Sequence, residues 1–309
     1  MKVVVSEFMD TPGLAALRAV HEVVYDPALV DDPALLRTLA AGADAFVVRN
    51  RTQVRGELLD ALVPRCRVVG RLGVGLDNID VAACRARGIA VAPATGANAR
   101  AVAEYVLVAA ATLLRGCFFA SDRVAAGEWP REPLSGGREI GDKTLGLVGF
   151  GSIGRVTAQL ARGWNLDVIA TDAALSNDDP AYAEAGVRGT SLDALVAEAD
   201  IVSLHVPLAD STRGLFDEVR IAAMKPGAIL VNASRGGIVD EAALVAALRR
   251  GHLGGAALDT FAEEPLRDGS AFAGCPNLLL TPHVAGPSAE ANARVSISVA
   301  EQVLAVLAR

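Results

Sequence analysis

Residues 145–154 have the sequence LGLVGFGSIG, an apolar strand-like run that ends among three glycines, Gly149, Gly151 and Gly154. A helix-like segment, RVTAQLARG, follows at once. Glycines at this spacing permit a tight turn between strand and helix, and they let the backbone approach a pyrophosphate that lies over the helix N-terminus. Because strand–helix junctions are rich in glycine anyway, the motif by itself predicts only a strand–turn–helix unit.

The next strand-like run, DVIATD, favours a dinucleotide site over a purely structural glycine turn. It ends in Asp172, eighteen residues after Gly154, where a carboxylate can accept hydrogen bonds from ribose hydroxyls. The same carboxylate would repel a 2′-phosphate, and Ala173 and Ala174 stand where an arginine would bind one. We therefore predict NAD rather than NADP as the cofactor.

Strand-like apolar runs alternate with helix-like segments along most of the chain, which is the pattern of α/β architecture. About five such runs precede residue 98, and about seven more begin at TLGLVGF. We expect two doubly wound parallel-sheet domains, with a Rossmann-type NAD domain inserted into a flavodoxin-like substrate domain. The predicted bounds are 1–97 for the first part of the substrate domain, 98–286 for the NAD domain, and 287–309 for a C-terminal helix that returns to the substrate domain.

The composition of the 309 residues is that of a globular protein, with 52% hydrophobic and 21% charged residues. The net charge of −7 and the absence of a basic block argue against nucleic acid as a partner. The N-terminal MKVVVSEF lacks the pattern of a signal peptide, and the apolar stretch AVAEYVLVAAATLLRG is short and contains Glu104. Four scattered cysteines show no metal-site or redox-pair spacing. We expect a cytoplasmic protein without a metal or a membrane span.

Three charged residues in the last third of the chain each follow a strand-like run: Arg235 in NASRGG, Glu264 in EEPL and His283 in TPHVAG. In an open parallel sheet, the turns after the strands border the ligand crevice. Reduction of a carbonyl needs a proton for the oxygen, which an imidazolium supplies and a neighbouring carboxylate stabilises. A guanidinium binds a carboxylate and stabilises the developing negative charge. Taken singly, each of these three residues could also have a purely structural role in its loop.

Six motifs, in the right order and at the right spacing, resemble the D-isomer-specific 2-hydroxyacid dehydrogenases, in particular the branch that contains phosphoglycerate dehydrogenase. The resemblance covers nearly the whole length. It rests on RLGVGLDNID (71–80), GFGSIG (149–154), HVPL (205–208), NASRGGIVDE (232–241), ALDTFAEEP (257–265) and TPHVAG (281–286). Larger phosphoglycerate dehydrogenases append regulatory domains, whereas this sequence ends at Arg309, so a short form without such a domain is expected.

The resemblance implies a role for each matching residue. Arg235 would bind the substrate carboxylate and polarise the keto oxygen, His283 would be the acid–base group, and Glu264 its carboxylate partner. The backbone N–H groups of Val74 and Gly75 would hold the substrate carboxylate. Around the cofactor, Asp259 would lie near the nicotinamide carboxamide, and two residues of HVPL would line the adenine side. The predicted cofactor residues are Gly149, Gly151, Ser152, Ile153, Gly154, Asp172, His205, Pro207, Ala233 and Asp259.

Three arginines in the first domain bear on the choice of substrate. Arg49 and Arg71 match positions that can face the substrate in the family, and Arg51 lies two residues from Arg49. In phosphoglycerate-type members, arginines there favour a second anionic group. A 2-oxo acid with a distal phosphate or sulfonate, such as 3-phosphohydroxypyruvate or sulfopyruvate, is therefore expected. One alternative for the function is a hydroxypyruvate or glyoxylate reductase. The alternative for the arginines is that they only bind loop carbonyls or carboxylates.

Other classes share this fold. C-terminal-binding corepressors are NAD-binding proteins of the same architecture, but they are expected to carry partner-binding extensions, which are not visible here. Formate-type dehydrogenases have glutamine where this chain has Glu264. The resemblance also implies a homodimer, built by the apolar helix from Asn98 and the arm that follows it through Trp129.

Overall fold

The computed structural model describes all 309 residues. The chain divides into two compact units: residues 1–98 with 287–309 form unit 1, and residues 99–286 form unit 2. Numbered along the chain, the strands are β1 (Lys2–Val5), β2 (Glu22–Tyr25), β3 (Ala45–Val48), β4 (Val68–Arg71), β5 (Ala90–Pro93), β6 (Thr144–Val148), β7 (Asp167–Thr171), β8 (Arg188–Gly189), β9 (Ile201–Leu204), β10 (Ile229–Asn232), β11 (Gly255–Leu258) and β12 (Leu278–Leu280).

The α-helices are numbered in the same way. They are α1 (Thr11–Arg18), α2 (Pro33–Ala40), α3 (Gly56–Leu62), α4 (Val81–Ala86), α5 (Ala99–Arg115), α6 (Ser121–Ala125), α7 (Arg131–Leu134), α8 (Ser152–Ala161), α9 (Pro180–Glu184), α10 (Leu192–Glu198), α11 (Glu218–Ala223), α12 (Glu241–Arg249) and α13 (Ala289–Leu307).

Unit 1 is built on a five-stranded parallel sheet with the order β2-β1-β3-β4-β5. This is the flavodoxin-like order. The whole of β3, AFVV, is buried, as expected for a central strand covered by helices on both faces. The predicted five strands and the predicted fold of this unit are confirmed.

The C-terminal helix α13 packs in unit 1 against α1 and β4. Its buried stripe, Val295, Val299 and Val303, joins the apolar cluster of β1, β3 and β4. The approach is close, because a Cβ on Gly13 of α1 would lie 2.4 Å from the carbonyl oxygen of Ser296. The sequence periodicity of α13 therefore produces a core helix that completes one face of the sheet.

Unit 2 is built on a seven-stranded parallel sheet with the order β12-β11-β10-β9-β6-β7-β8. If the strands are counted from β6 and the sheet is read from β8, the order is 3-2-1-4-5-6-7, which is the Rossmann order extended by one strand. The order reverses between β6 and β9, so that the glycine motif after β6 lies at the switch point where doubly wound folds bind nucleotides. The predicted seven strands and Rossmann-type topology are confirmed.

Helix α5 packs in unit 2 against α8 and strands β10 and β11, with buried residues such as Val102, Val106 and Leu113 at helical spacing. The arm after it exposes large apolar side chains, with Phe118 62% and Trp129 80% accessible. No single helix has both the length and the apolarity of a membrane span. Two consecutive helical segments, Ala99–Arg115 and Cys117–Ala125, together have the length and composition of a span, but the chain bends by 66° between them.

Candidate active site

The three glycines after β6 each serve a different steric need. Gly149 has a φ of +101°, and a Cβ there would lie 2.5 Å from the carbonyl oxygen of His205. A Cβ on Gly154 would lie 2.3 Å from the carbonyl oxygen of Gly149, so this glycine lets α8 pack on the turn. Gly151 has open space where its side chain would be, which leaves its backbone accessible to a pyrophosphate.

The N-terminus of α8 fits an anion. Gly151 is its N-cap residue and supplies no side-chain cap, while Ser152 and Ile153 form the first turn. The first N–H groups of an α-helix have no partner within the helix, and they carry the positive end of its dipole. The uncapped start of this ten-residue helix, directly after the open glycine, therefore suits the pyrophosphate of a dinucleotide.

Asp172 links the end of β7 to the glycine turn. Its Oδ2 accepts a hydrogen bond of 2.7 Å from the N–H of Phe150, and its Oδ1 accepts one of 2.9 Å from the N–H of Ala174. A carboxylate oxygen can accept more than one hydrogen bond, so ribose hydroxyls could still bind there. The residues of the cradle are compatible with NAD on steric and hydrogen-bonding grounds.

The candidate catalytic residues follow three neighbouring strands. Arg235 comes after β10, Glu264 after β11 and His283 after β12. The last residues of these strands, Asn232, Leu258 and Leu280, are paired in register. With neighbouring strands about 4.8 Å apart, the three turns begin within roughly 10 Å of one another. The sheet therefore brings the three loops to one edge.

Val148 at the end of β6 and Leu204 at the end of β9 continue the same register. The glycine cradle and His205 therefore lie at the same carboxyl edge as the loops of Arg235, Glu264 and His283. This is the edge at which α/β proteins of this topology bind their ligands.

His283 and Glu264 form a direct pair. The Nδ1 of His283 lies 2.6 Å from Oε2 of Glu264, and the other carboxylate oxygen, Oε1, accepts a 3.0 Å hydrogen bond from the N–H of Phe261. The carboxylate is thus oriented by its own loop, and it orients the imidazole in turn. Since Nδ1 is engaged, Nε2 is the ring nitrogen that a proton transfer would use.

Arg235 lies in a turn closed by side-chain hydrogen bonds. The Nδ2 of Asn232 donates to the carbonyl of Arg235 at 2.8 Å, and the Oδ1 of Asn232 accepts from the N–H and hydroxyl of Ser234. A Cβ on Gly236 would lie 1.7 Å from the carbonyl oxygen of Phe261. The turn that carries Arg235 therefore packs against the loop that carries Glu264.

The remaining predicted cofactor residues lie along the same edge. Burial lowers the pKa of His205 to about 4, and its Nε2 lies 3.0 Å from the hydroxyl of Ser203. Its ring is therefore neutral at physiological pH. Pro207 is exposed beyond it, and Ala233 is half-buried in the turn after β10. Asp259 is buried and accepts hydrogen bonds of 2.8 Å from the N–H groups of Val284 and Ala285.

The predicted substrate residues of unit 1 lie at the carboxyl edge of its own sheet. Arg49 follows β3, Arg71 ends β4, and Val74 and Gly75 lie in the turn after β4. The ends of β3 and β4 are paired in register at Val48 and Arg71. The guanidinium of Arg71 lies over Gly73, where a Cβ would be 1.4 Å from its Nη1.

The loop after β3 is held by a residue that sequence reasoning missed. Glu7, only 4% exposed after β1, accepts hydrogen bonds from four consecutive backbone N–H groups, those of residues 49–52, at 2.8 to 3.2 Å. Burial raises the pKa of Glu7, but the hydrogen bonds from Arg51, Thr52 and Arg49 outweigh it and lower the pKa overall. The feature of the sequence that could have indicated Glu7 is an acidic residue at the end of the apolar run VVVSE.

The two arginines of this loop have different surroundings. Arg49 donates from Nη2 to Oδ1 of Asn292 at 3.0 Å, and its guanidinium lies 5.5 Å from the ring centre of Phe8. Arg51 pairs instead with Asp31, and both of these side chains are more than half exposed. The structure therefore separates Arg51 from Arg49, which the sequence alone could place on one face.

A doubly wound sheet with a dinucleotide cradle at its switch point, beside a paired histidine and carboxylate, defines the class of NAD-dependent oxidoreductases. Residues 107–285 match the family model "D-isomer specific 2-hydroxyacid dehydrogenase, NAD binding domain". The chain belongs to the D-isomer-specific 2-hydroxyacid dehydrogenase family.

Individual relatives support this membership. The chain is 52% identical to the (S)-sulfolactate dehydrogenase of Chromohalobacter salexigens, over 95% of this chain and 94% of that one. It is 42% identical over 90% of its length to the D-3-phosphoglycerate dehydrogenase of Mycobacterium bovis, of which the match spans only 52%. The solved D-lactate dehydrogenase of Aquifex aeolicus, complexed with NAD and lactic acid, has a TM-score of 0.84 at 28% identity and covers 100% and 96% of the two chains.

These comparisons confirm the predicted family, the enzymatic class and NAD as the cofactor. The protein is an NAD-dependent oxidoreductase that interconverts a 2-hydroxy acid and its 2-oxo acid. They do not favour the alternative of a non-catalytic corepressor-like protein, since the relatives named above are dehydrogenases.

Proposed function

We propose that His283, Arg235 and Glu264 carry out the reaction, and that the substrate is a three-carbon D-2-hydroxy acid with a sulfonate on C3. When bound, NADH supplies a hydride to C2 of the 2-oxo acid. His283 delivers a proton from Nε2 to the carbonyl oxygen, so that 2-oxo acid, NADH and a proton become 2-hydroxy acid and NAD. Glu264 stabilises the protonated imidazole through the 2.6 Å contact at Nδ1.

Arg235 acts on the same carbonyl group in this proposal. A guanidinium binds a carboxylate through two parallel hydrogen bonds, and it stabilises negative charge that develops on a neighbouring oxygen. The turn around it is fixed by the side chain of Asn232, which limits the reorganisation needed when substrate binds. The backbone N–H groups of Val74 and Gly75 would hold the substrate carboxylate.

The distal sulfonate is proposed from the arginine after β3 together with the 52% identical relative, an (S)-sulfolactate dehydrogenase. The descriptor (S) agrees with a family specific for D isomers. In sulfolactate the sulfur-bearing C3 outranks the carboxylate in the priority rules, because sulfur is heavier than oxygen. The D configuration, which is R in lactate, is therefore named S in sulfolactate.

The observation that carries the substrate proposal is the way the Arg49 loop is held. A buried carboxylate binds the four backbone N–H groups of residues 49–52, so the loop that presents Arg49 has a fixed backbone. Burial lowers the pKa of Arg49, yet an arginine keeps its charge at physiological pH. A fixed, partly desolvated guanidinium is well suited to bind a sulfonate or a phosphate.

A comparison of two arginine variants tests this. We expect Arg49→Ala to reduce kcat/KM for sulfopyruvate relative to glyoxylate about 10- to 100-fold, the value of a charge-assisted hydrogen bond. Arg51→Ala removes the same charge from the same loop, but Arg51 pairs with Asp31. It should leave that ratio within about twofold of wild type, because exposed ion pairs contribute little.

The outcomes separate the candidate substrates. An Arg49→Ala variant with an unchanged ratio would remove this arginine from substrate selection. A wild-type enzyme that prefers glyoxylate or hydroxypyruvate would favour the unsubstituted reductase instead. The second candidate substrate, 3-phosphohydroxypyruvate, rests on the 42% identical phosphoglycerate dehydrogenases. It should be assayed beside sulfopyruvate, because its phosphate is the dianionic counterpart of the sulfonate.

We further propose a substrate domain formed by residues 1–97 and 287–309, an NAD domain formed by 98–286, a homodimer and a cytoplasmic location. The exposed side chains of Phe118, Phe119 and Trp129 support an interface on the arm after α5, since large exposed apolar side chains are costly to leave in water. Four free cysteines support a reducing compartment. Light scattering at micromolar concentration that shows only monomer would contradict the dimer.

A further inference from the structure

Tyr105 lies in the middle of α5, far in sequence from every motif that defines the site. Its hydroxyl lies 2.7 Å from Oγ1 of Thr281, 176 residues away. Thr281 is the first residue of the TPHVAG loop that carries His283. The hydroxyl of Thr281 is in turn 2.6 Å from Oδ1 of Asp259. A helix that the sequence marks only as apolar is thus connected to the loop of the predicted proton donor.

The direction of these hydrogen bonds follows from counting protons. A carboxylate only accepts, so the single hydroxyl proton of Thr281 is donated to Asp259. The Oγ1 of Thr281 then has only lone pairs to offer, and Tyr105 must be the donor in their contact. Burial and the charge of Asp259 raise the pKa of Tyr105 against the opposing effect of its bond to Thr281. The phenol therefore stays protonated throughout the range of an enzyme assay.

The hydrogen bonds from Tyr105 and Thr281 end at Asp259, which also accepts from the backbone after His283. Asp259, 1% exposed, accepts the Thr281 hydroxyl and the N–H of Val284 on Oδ1, and the N–H of Ala285 on Oδ2. The loop is therefore held by one carboxylate on both sides of His283. His283 itself has a φ of +57°, a left-handed conformation that non-glycine residues adopt at some cost and that the surroundings must maintain.

We propose that Tyr105 is a positioning residue, which acts through Thr281 and Asp259 to fix the loop that presents His283. Proton transfer depends on placement within a fraction of an ångström, and small displacements reduce catalysis strongly. The Tyr105 hydroxyl holds Thr281 in the rotamer that donates to Asp259, and Asp259 holds the two N–H groups after His283. The proposal rests on the assignment of His283 as proton donor.

The first test is removal of the phenol hydroxyl alone. We expect Tyr105→Phe to lower kcat for 2-oxo acid reduction with NADH about three- to tenfold, the value of one neutral hydrogen bond. KM for both substrates should stay close to wild type, since Tyr105→Phe leaves Arg235 and the glycine cradle in place. The pH optimum should not move, because no charge changes. Tyr25→Phe, the same substitution in β2 of unit 1, is the matched control and should leave kcat unaltered.

A double-mutant cycle separates positioning from packing. Thr281→Val keeps the shape and removes the relay hydroxyl, whereas Thr281→Ser keeps the hydroxyl and should retain most of the activity. In the Thr281→Val background, Tyr105→Phe should cause no further loss, because coupled residues are not additive. Losses that multiply independently, or a fall in melting temperature without a fall in kcat, would overturn the proposal.

The same assays distinguish failure of this inference from failure of the catalytic assignment. His283→Ala should abolish most turnover while NADH still binds, as followed by fluorescence titration. If His283→Ala keeps wild-type kcat, the proton-donor assignment is wrong and the relay has no proton donor to position. If His283→Ala is inactive and Tyr105→Phe has wild-type kcat, the assignment of His283 stands and the positioning role of Tyr105 is wrong.

Discussion

Among single residues, the hydrogen-bond partners of His283 and Glu264 determine the geometry of the candidate site. His283 contacts Glu264 through Nδ1, and Glu264 uses its second oxygen to accept the N–H of Phe261. The carboxylate therefore cannot turn away from the imidazole without leaving a backbone donor unpaired. Such an arrangement fixes the ring orientation, as the proposed proton donor requires.

Replacement of the carboxylate by its amide separates charge from shape. In Glu264→Gln the side-chain oxygen can still accept a hydrogen bond, but the negative charge that stabilises the imidazolium is gone. We expect the pH profile of kcat/KM for reduction to move to lower pH, because the imidazole loses its proton more readily. Glu263→Gln, at the adjacent exposed carboxylate, is the control. An unmoved profile in Glu264→Gln would remove Glu264 from its proposed role.

The sequence and the family resemblance predicted Arg235, Glu264 and His283 as candidates and paired Glu264 with His283, but they did not predict the contact between Tyr105 and Thr281. Arg235, Glu264 and His283 each follow an apolar run, so a parallel sheet must gather them at one edge. Tyr105 and Thr281 are 176 residues apart, and neither stands in a pattern that links it to the other. Their contact arises from the packing of α5 in unit 2, which periodicity indicates only as a buried face.

At the scale of elements, the carboxyl end of β1 determines the conformation of the loop after β3. Glu7 sits where β1 ends, and strands β1 and β3 are paired, so its carboxylate reaches the backbone of the next loop. Four N–H groups that would otherwise need water are satisfied by one buried side chain. The sequence showed an acid after an apolar run, but not the loop that it would hold.

The Glu7 contacts predict a pH-dependent stability. An amide in Glu7→Gln turns its NH2 group towards backbone N–H donors, and we expect a loss of about 1–3 kcal/mol in the free energy of unfolding at neutral pH. The pKa of Glu7 is lowered in the folded state, so the stabilisation is present above the usual carboxyl pKa of 4.5 and lost as the pH falls through the lowered value.

Thermal or urea unfolding between neutral and acidic pH measures this difference. The gap between wild type and Glu7→Gln should be widest at neutral pH and should narrow under acidic conditions, where the wild-type carboxyl is also protonated. Glu57→Gln is the control, because Glu57 makes only an exposed ion pair with Arg37. A gap that stays constant with pH would show that the charge of Glu7 does not stabilise the loop.

At the scale of the whole molecule, each of the two units gathers its predicted functional residues at the carboxyl edge of its own parallel sheet. The sequence was sufficient for the strands and their grouping, since apolar runs such as AFVVR and AILVNAS are long enough to be distinctive. The sheet orders followed from the family that the motifs indicated. The side-chain contacts of the arginines could not be predicted from the sequence, because the pairing of Arg51 with Asp31 depends on how separate loops fold together.

The proposed activity is tested by following NADH oxidation by the wild-type enzyme with sulfopyruvate and by determining the configuration of the product with chiral chromatography. We expect one NADH to be consumed per sulfolactate formed, and the product to be (S)-sulfolactate, the D-configured isomer. No turnover of sulfopyruvate, or formation of the (R) isomer, would contradict the proposed activity.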